Sequence, residues 1–275
     1  IDPLKVVEEY GADALRGALL TGNAPGNDMR YSEKKIMNAR NFANKVWNAS
    51  RFIMMNVEKA GTDARQAFET AGRFEDIGTV PAGVKLEKED KWIISKLNSL
   101  VDNVTRNMDT FELGVALDNV TDFMWNELCD WYIEMLKTRL NGDNEETKKA
   151  ALWTLKTVLV NGLKLLHPFM PFITEEIFDN ITDEESIMIS RYPEYSEGWS
   201  FAEDEAEVEA VKEAVRAVRN IRAEKNVPPS RKAAVHIVSD DAAVRAAFEA
   251  TKSVSAALCS ASEIIVQADK SGIDT

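Results

Sequence analysis

The chain has 275 residues, of which 45% are hydrophobic and 29% charged, enough apolar material for one large domain or two. No apolar run approaches the roughly 18 residues of a membrane span, and no secretory signal opens the chain. The net charge of −13 excludes a broad polyanion-binding surface and leaves local basic patches as the docking points for any nucleic acid.

Asp2-Pro3 predicts a helix start, with Asp as N-cap and Pro in the first turn, running to Tyr10 and broken by Gly11. A second helix from about Ala12 to Leu20 ends at Gly22, and Asn23 to Asp28 reads as a loop. Ser32 then caps a long helix ending near Lys59. From Lys34 to Val57 this helix holds no Asp or Glu, in a chain with 46 of them, yet carries five Lys/Arg, five Asn and three aromatics. At about 100° per residue, Lys34, Asn38, Asn41, Lys45, Asn48 and Phe52 fall on one stripe, with Ile36, Ala39, Ala43, Val46, Ile53 and Val57 opposite as the core face. Amides bond base edges in pairs, ammonium groups meet phosphates, and an exposed Phe52 offers a stacking surface, so the stripe fits unpaired nucleotides. A solvated helix face accounts for the same pattern equally well.

Residues 61–86 lose periodicity and read as a surface excursion. Helices follow at Glu87 to Met108, Glu112 to Leu140, Glu145 to Leu166 and Phe172 to Asn180, with a short strand expected at Ser186 to Ile189. Trp125, Trp131 and Tyr132 lie in FMWNELCDWYIEML, apolar on most sides, and are expected in the core with Trp47 and Phe169. A helix from Glu203 to Lys225 is acidic at its start and basic at its end, matching its dipole. A strand from Ala233 to Val238, helices from Asp241 to about Leu258 and a strand from Glu263 to Gln267 complete the chain. The fold class is therefore mainly α: an antiparallel helical bundle followed by a small α/β appendage.

No phosphate loop, zinc motif or nucleophile elbow is present, so no catalytic, cofactor or metal residues are assigned. His167 reads as a packed helix-end residue, and His236 as the outer face of a strand. Cys129 and Cys259 lack ligand spacing and sit in apolar patterns, which implies a reducing, cytoplasmic compartment. The chain opens at Ile1 without an initiator Met, which we read as a piece of a longer protein.

IDPLKVVEEYGADALRGALLTGNAPGNDMRY, ARNFANKVWNASRF, DWYIEMLK, LLHPFMPFITEEIF and VRNIRAEKNVPPSRK together resemble the C-terminal part of the bacterial valyl-tRNA synthetases, class I aminoacyl-tRNA synthetases, over nearly the whole chain. The opening is similar to the segment after the KMSKS loop. Isoleucyl and leucyl relatives share GAD and the bundle but not RNFANKVWNASRF. The HIGH-bearing catalytic fold, the editing domain and the C-terminal coiled coil of that family have no counterpart in the sequence.

The resemblance implies a stem segment over 1–31, an anticodon-binding bundle over 32–195 and a C-terminal junction over 196–275. It implies that Lys45, Asn48 and Phe52, with Lys34 upstream, read the middle and third anticodon bases of valine tRNA, as the tRNA-reading module of valine–tRNA ligase. Arg219, Arg222 and Lys225 become candidates for tRNA backbone contact, with helix-end charge pairing an equal alternative. ATP and magnesium belong, on this resemblance, to the catalytic domain of a monomeric parent enzyme, and neither DNA nor a membrane is expected as partner. Two alternatives stand: an isoleucyl- or leucyl-type module, and a helical protein-interaction scaffold, which the net charge of −13 favours.

Overall fold

The computed structural model describes residues 2–22 and 31–273. Helix α1 (Pro3–Tyr10) starts as its sequence demands: the Asp2 carboxylate accepts from the Leu4 N–H at 3.0 Å, and Pro3 occupies a position where no N–H is needed. It stops at Gly11, whose φ of 92° disfavours any residue with a Cβ. Helix α2 (Ala12–Leu20) follows at once. The loop expected at Asn23 to Asp28 lies outside the described residues. Helix α3 (Glu33–Lys59) is capped by Ser32, and α5 (Lys88–Asp109) by a reciprocal box between Glu87 and Asp90.

The expected excursion over 61–86 is corrected. It contains α4 (Thr62–Thr70), whose Ala64, Ala67 and Phe68 are buried against α8 (Glu145–Leu166). With only nine residues, two of its three buried side chains alanines, α4 gives too weak a periodic signal for sequence reading. The expected strand at Ser186 to Ile189 is instead a 3₁₀ turn, Ile187–Ile189, because the Ser186 hydroxyl caps Met188 N–H and Glu175 accepts from Ile187 N–H. No neighbouring strand exists for it among the described residues.

The helix from Leu113 to Leu140 is continuous but not uniform. Helices α6 (Leu113–Asp122) and α7 (Ile133–Leu140) flank a π-helical segment, Phe123–Tyr132, where bonds skip five residues, as from Ile133 N–H to Leu128 C=O. Met124 of this segment meets α8, which is buried on every side from Ala150 to Leu166 rather than along one stripe. Gly162 permits the contact: a Cβ there would lie 2.5 Å from Met124 Sδ.

Two buried polar networks lock the bundle. Arg139 donates to Glu89 at 2.7 Å and to both Asp90 oxygens at 2.8 Å, while the Tyr132 hydroxyl donates to Asp90 at 2.6 Å. Lys212, fully buried on α10 (Ala202–Glu224), donates to Glu127 at 2.5 Å and Glu209 at 2.9 Å. Helix α9 (Pro171–Ile181) receives α2: buried Asp13 accepts from the Phe172 and Ile173 N–H groups, and Arg16 donates to the Pro168 and Phe169 carbonyls. In the appendage β1 (Ala233–Val238) pairs in parallel with β2 (Ala261–Gln267). Parallel pairing requires a crossover, here α11 (Ala242–Ala250) and α12 (Lys252–Cys259).

Of the aromatics expected in the core, Trp131 and Phe169 are buried, whereas Trp47 and Trp125 are half-buried. Replacing Arg139 by Met leaves Glu89 and Asp90 buried without their cation. It should cost about 3–5 kcal/mol, read as a lowered urea midpoint with an unchanged slope.

Candidate nucleic-acid interface

The outer face of α3 is built by what it does not bury. Ile36, Ala39, Phe42, Val46, Ala49, Ser50 and Ile53 face the core, while Ala43 and Val57, expected there, are only half-buried. The core face is turned toward Phe42 and Ala49 because the π-helical segment packs on that side, with Trp125 stacked on Phe42 at 6.4 Å between centroids. The exposed face turns with it. It is centred on Asn41, Asn44 and Asn48 between Met37 and Met55, about 60° round the helix from the line through Lys34, Lys45 and Phe52.

The six stripe residues therefore divide. Lys34, Asn38, Asn41 and Asn48 are exposed and make no side-chain hydrogen bond to a described residue. Lys45 is half-buried: its ammonium donates to Asp130 at 2.6 Å and lies 3.8 Å from the centre of the Trp125 ring. The expectation of an exposed Phe52 is corrected, since Phe52 is half-buried and packs against the core. Its position at the edge of the turned core face is the reason, so only part of the ring remains for stacking. Over the 18 steps from Lys34 to Phe52 the face extends about 27 Å at 1.5 Å per residue.

Asn44, Arg40 and Arg51 are exposed on this face and were missed by the stripe. Their signal was present, since all lie in the acid-free run, but choosing among its polar residues needed the true core direction. Asp130 had no sequence signal, because the acid that meets Lys45 comes from another helix.

Arg219 and Arg222 are engaged within the appendage. Arg219 Nε donates to the Leu258 carbonyl at 3.0 Å, and Arg222 Nη2 to those of Pro228 and Arg231 at 2.9 and 2.6 Å. Both line a groove of about 600 Å³ with Lys137, Thr138 and Ser260, whereas Lys225 is exposed at the end of α10. His167 bonds Thr174 Oγ1 at 2.7 Å from a helix end, burial pushing its pKa down, and His236 lies exposed on β1. Both cysteines are free thiols, and burial pushes that of Cys129 up to about 11. Among the described residues no three His, Cys, Asp or Glu are grouped to hold a metal, and no helix is long and apolar enough to cross a membrane.

Residues 90–237 match the sequence family described as the anticodon-binding domain of tRNA ligase. The chain belongs to this family. It is 46% identical over 275 residues, all of this chain, to a valine–tRNA ligase of Clostridium perfringens. To the valine–tRNA ligase of Clostridium tetani it is 48% identical over 265 residues, 96% of this chain. It spans 29% and 28% of the lengths of those two relatives. The fold is similar to a leucyl enzyme of Agrobacterium radiobacter K84 solved with tRNA, at a TM-score of 0.55 and 19% identity, over 74% of this chain and 22% of that one. Identities of this size to valine–tRNA ligases do not favour the isoleucyl and leucyl alternative, and the family match does not favour a protein-interaction scaffold.

The divided stripe makes a stability prediction. Phe52→Ala removes part of a packed ring and should lower stability by about 1–2 kcal/mol, below the cost of a fully buried Phe. Asn48→Ala on the same helix should stay within about 0.5 kcal/mol. Urea midpoints of the two variants against the parent chain measure the difference.

Proposed function

We propose that this chain reads the anticodon of valine tRNA with the outer face of α3, as the tRNA-recognition module of a valine–tRNA ligase. The observation that carries the reading is the amide-rich face itself: Asn41, Asn44 and Asn48 exposed on one helix, with Lys34 and Arg51 at its margins and no acid in the helix from Lys34 to Val57. Anticodon loops present unpaired bases that side chains can splay apart. An asparagine amide pairs with an adenine edge, worth about 1–3 kcal/mol of discrimination. The exposed part of the Phe52 ring takes a base by stacking, and Lys45 offers its remaining N–H donors to a base acceptor. Arg219 and Arg222 would meet tRNA backbone only where their carbonyl partners leave N–H groups free, and Lys225 without that restriction. Joining valine to tRNA, with ATP and magnesium, belongs in this reading to the catalytic part of the ligase, and the free thiols suit the cytoplasm.

A chain that keeps one of several linked contacts binds weakly, because the effective concentration supplied by the others is lost. Titration of the chain with valine tRNA and with a middle-base variant at two salt concentrations tests the reading. The valine anticodon should bind more tightly at both, and equal binding of the two would overturn it. Asn48→Ala should narrow the difference, whereas Lys34→Ala should weaken both alike and reduce the salt slope by about 0.7. The chain alone should neither exchange pyrophosphate with valine nor deacylate threonyl-tRNA, and exchange above a buffer control would contradict that assignment of roles.

A further inference from the structure

Lys45 lies midway along α3 at the edge of the proposed RNA face, and its charge is already answered. Its ammonium lies 2.6 Å from the Asp130 carboxylate and 3.8 Å from the centre of the Trp125 ring, and Phe42 stacks on that ring with an interplanar angle of 23°. Trp125 and Asp130 are five residues apart. On an α-helix they would point about 140° apart. They converge on one lysine because they belong to the π-helical segment Phe123–Tyr132, whose bonds join residues five apart and stack them along the axis. The arrangement is held by α3 and by the π register together, and is not a chance pairing of two mobile surface chains.

We propose that Asp130 is a specificity-determining residue of the RNA site. By holding the Lys45 ammonium against Trp125 it withholds that charge from phosphates, so that contact at this point of α3 is decided by base edges. The inference rests on the anticodon reading above and goes beyond it by assigning a second wall to the site. An unopposed ammonium attracts any strand, because phosphate contacts carry no sequence information. Paired with a carboxylate, it loses that attraction while keeping two of its three N–H donors. A base acceptor directed at this point takes one of them, and a phosphate is met by the nearby carboxylate and repelled. The acidic chain then discriminates through geometry where a bare lysine would add affinity alone.

Asp130→Asn tests this, since the Asp130 side chain is 51% exposed and that of Lys45 24%, so the lysine charge left behind still reaches solvent. Valine tRNA, a middle-base variant and a short oligouridylate are titrated at two salt concentrations against the parent chain and the variant. The variant should bind all three several-fold more tightly, with a salt slope steeper by about 0.7 and a smaller ratio between the two tRNAs. In Asp130→Asn combined with Lys45→Met the steepening should vanish. Steepening that persists would mean the variant acts only through net charge, and would overturn the proposal. So would an unchanged ratio and slope in Asp130→Asn while the parent chain discriminates. A parent chain that binds both tRNAs equally would overturn the anticodon reading itself, an outcome visible without any variant.

Discussion

The ten residues of the π-helical segment from Phe123 to Tyr132 meet four other helices, and the register of the bundle depends on them. Met124 lies on Gly162 of α8, Tyr132 on Asp90 of α5, Trp125 on Phe42 of α3, and Glu127 on Lys212 of α10. A regular α-helix presents one such face every three or four residues. Bonding residues five apart widens the turn and spreads large side chains round the axis, so one segment serves several partners. The charged members are tolerated in the interior because each finds an opposite charge or a donor. Lys212 has two carboxylates and lies over the Trp92 and Trp131 rings, and Asp90 has Arg139 and Tyr132.

That packing sets the character of the α3 surface. Because the π-helical segment draws Phe42 and Ala49 inward, the outward face is an asparagine ridge edged by methionines rather than a lysine stripe. Two basic residues that flank it are treated differently. Lys45 is neutralised by Asp130 of the π-helical segment, whereas Arg40 stays exposed. A chain of net charge −13 thus presents polar donors and acceptors to a ligand with little general attraction for polyanions. Such a surface gains selectivity from hydrogen-bond geometry and gives up affinity to do so.

The α/β appendage is joined to the bundle by the basic end of α10. Arg219 and Arg222 bond carbonyls of Leu258, Pro228 and Arg231, and the Trp131 ring lies beneath Arg216 and Arg219 at 5.1 and 5.2 Å. The dipole-matched charge pattern of this helix therefore also fastens the next unit of the fold. The same side chains cannot be counted as wholly free for another ligand.

The sequence by itself determined the helices that carry strong local signals. Asp2-Pro3 and Ser32 mark starts, Gly11 a stop, and the 3.6-residue spacing of large apolar side chains gives α3 and α5. It also determined the acid-free run on α3 and the phrases that tie the chain to its family, because both are properties of residue order alone. It missed α4, whose alanines give little contrast, and placed a strand at Ile187, where three apolar residues in a row fit either conformation. Tertiary structure decided the orientation of α3 to within the 80° or so that separates a half-buried Phe52 from an exposed Asn44, since the core direction depends on which helix packs beside it. It alone decided that Asp130 meets Lys45: 85 positions separate them, and the π register that aims the carboxylate arises from the packing of several helices at once.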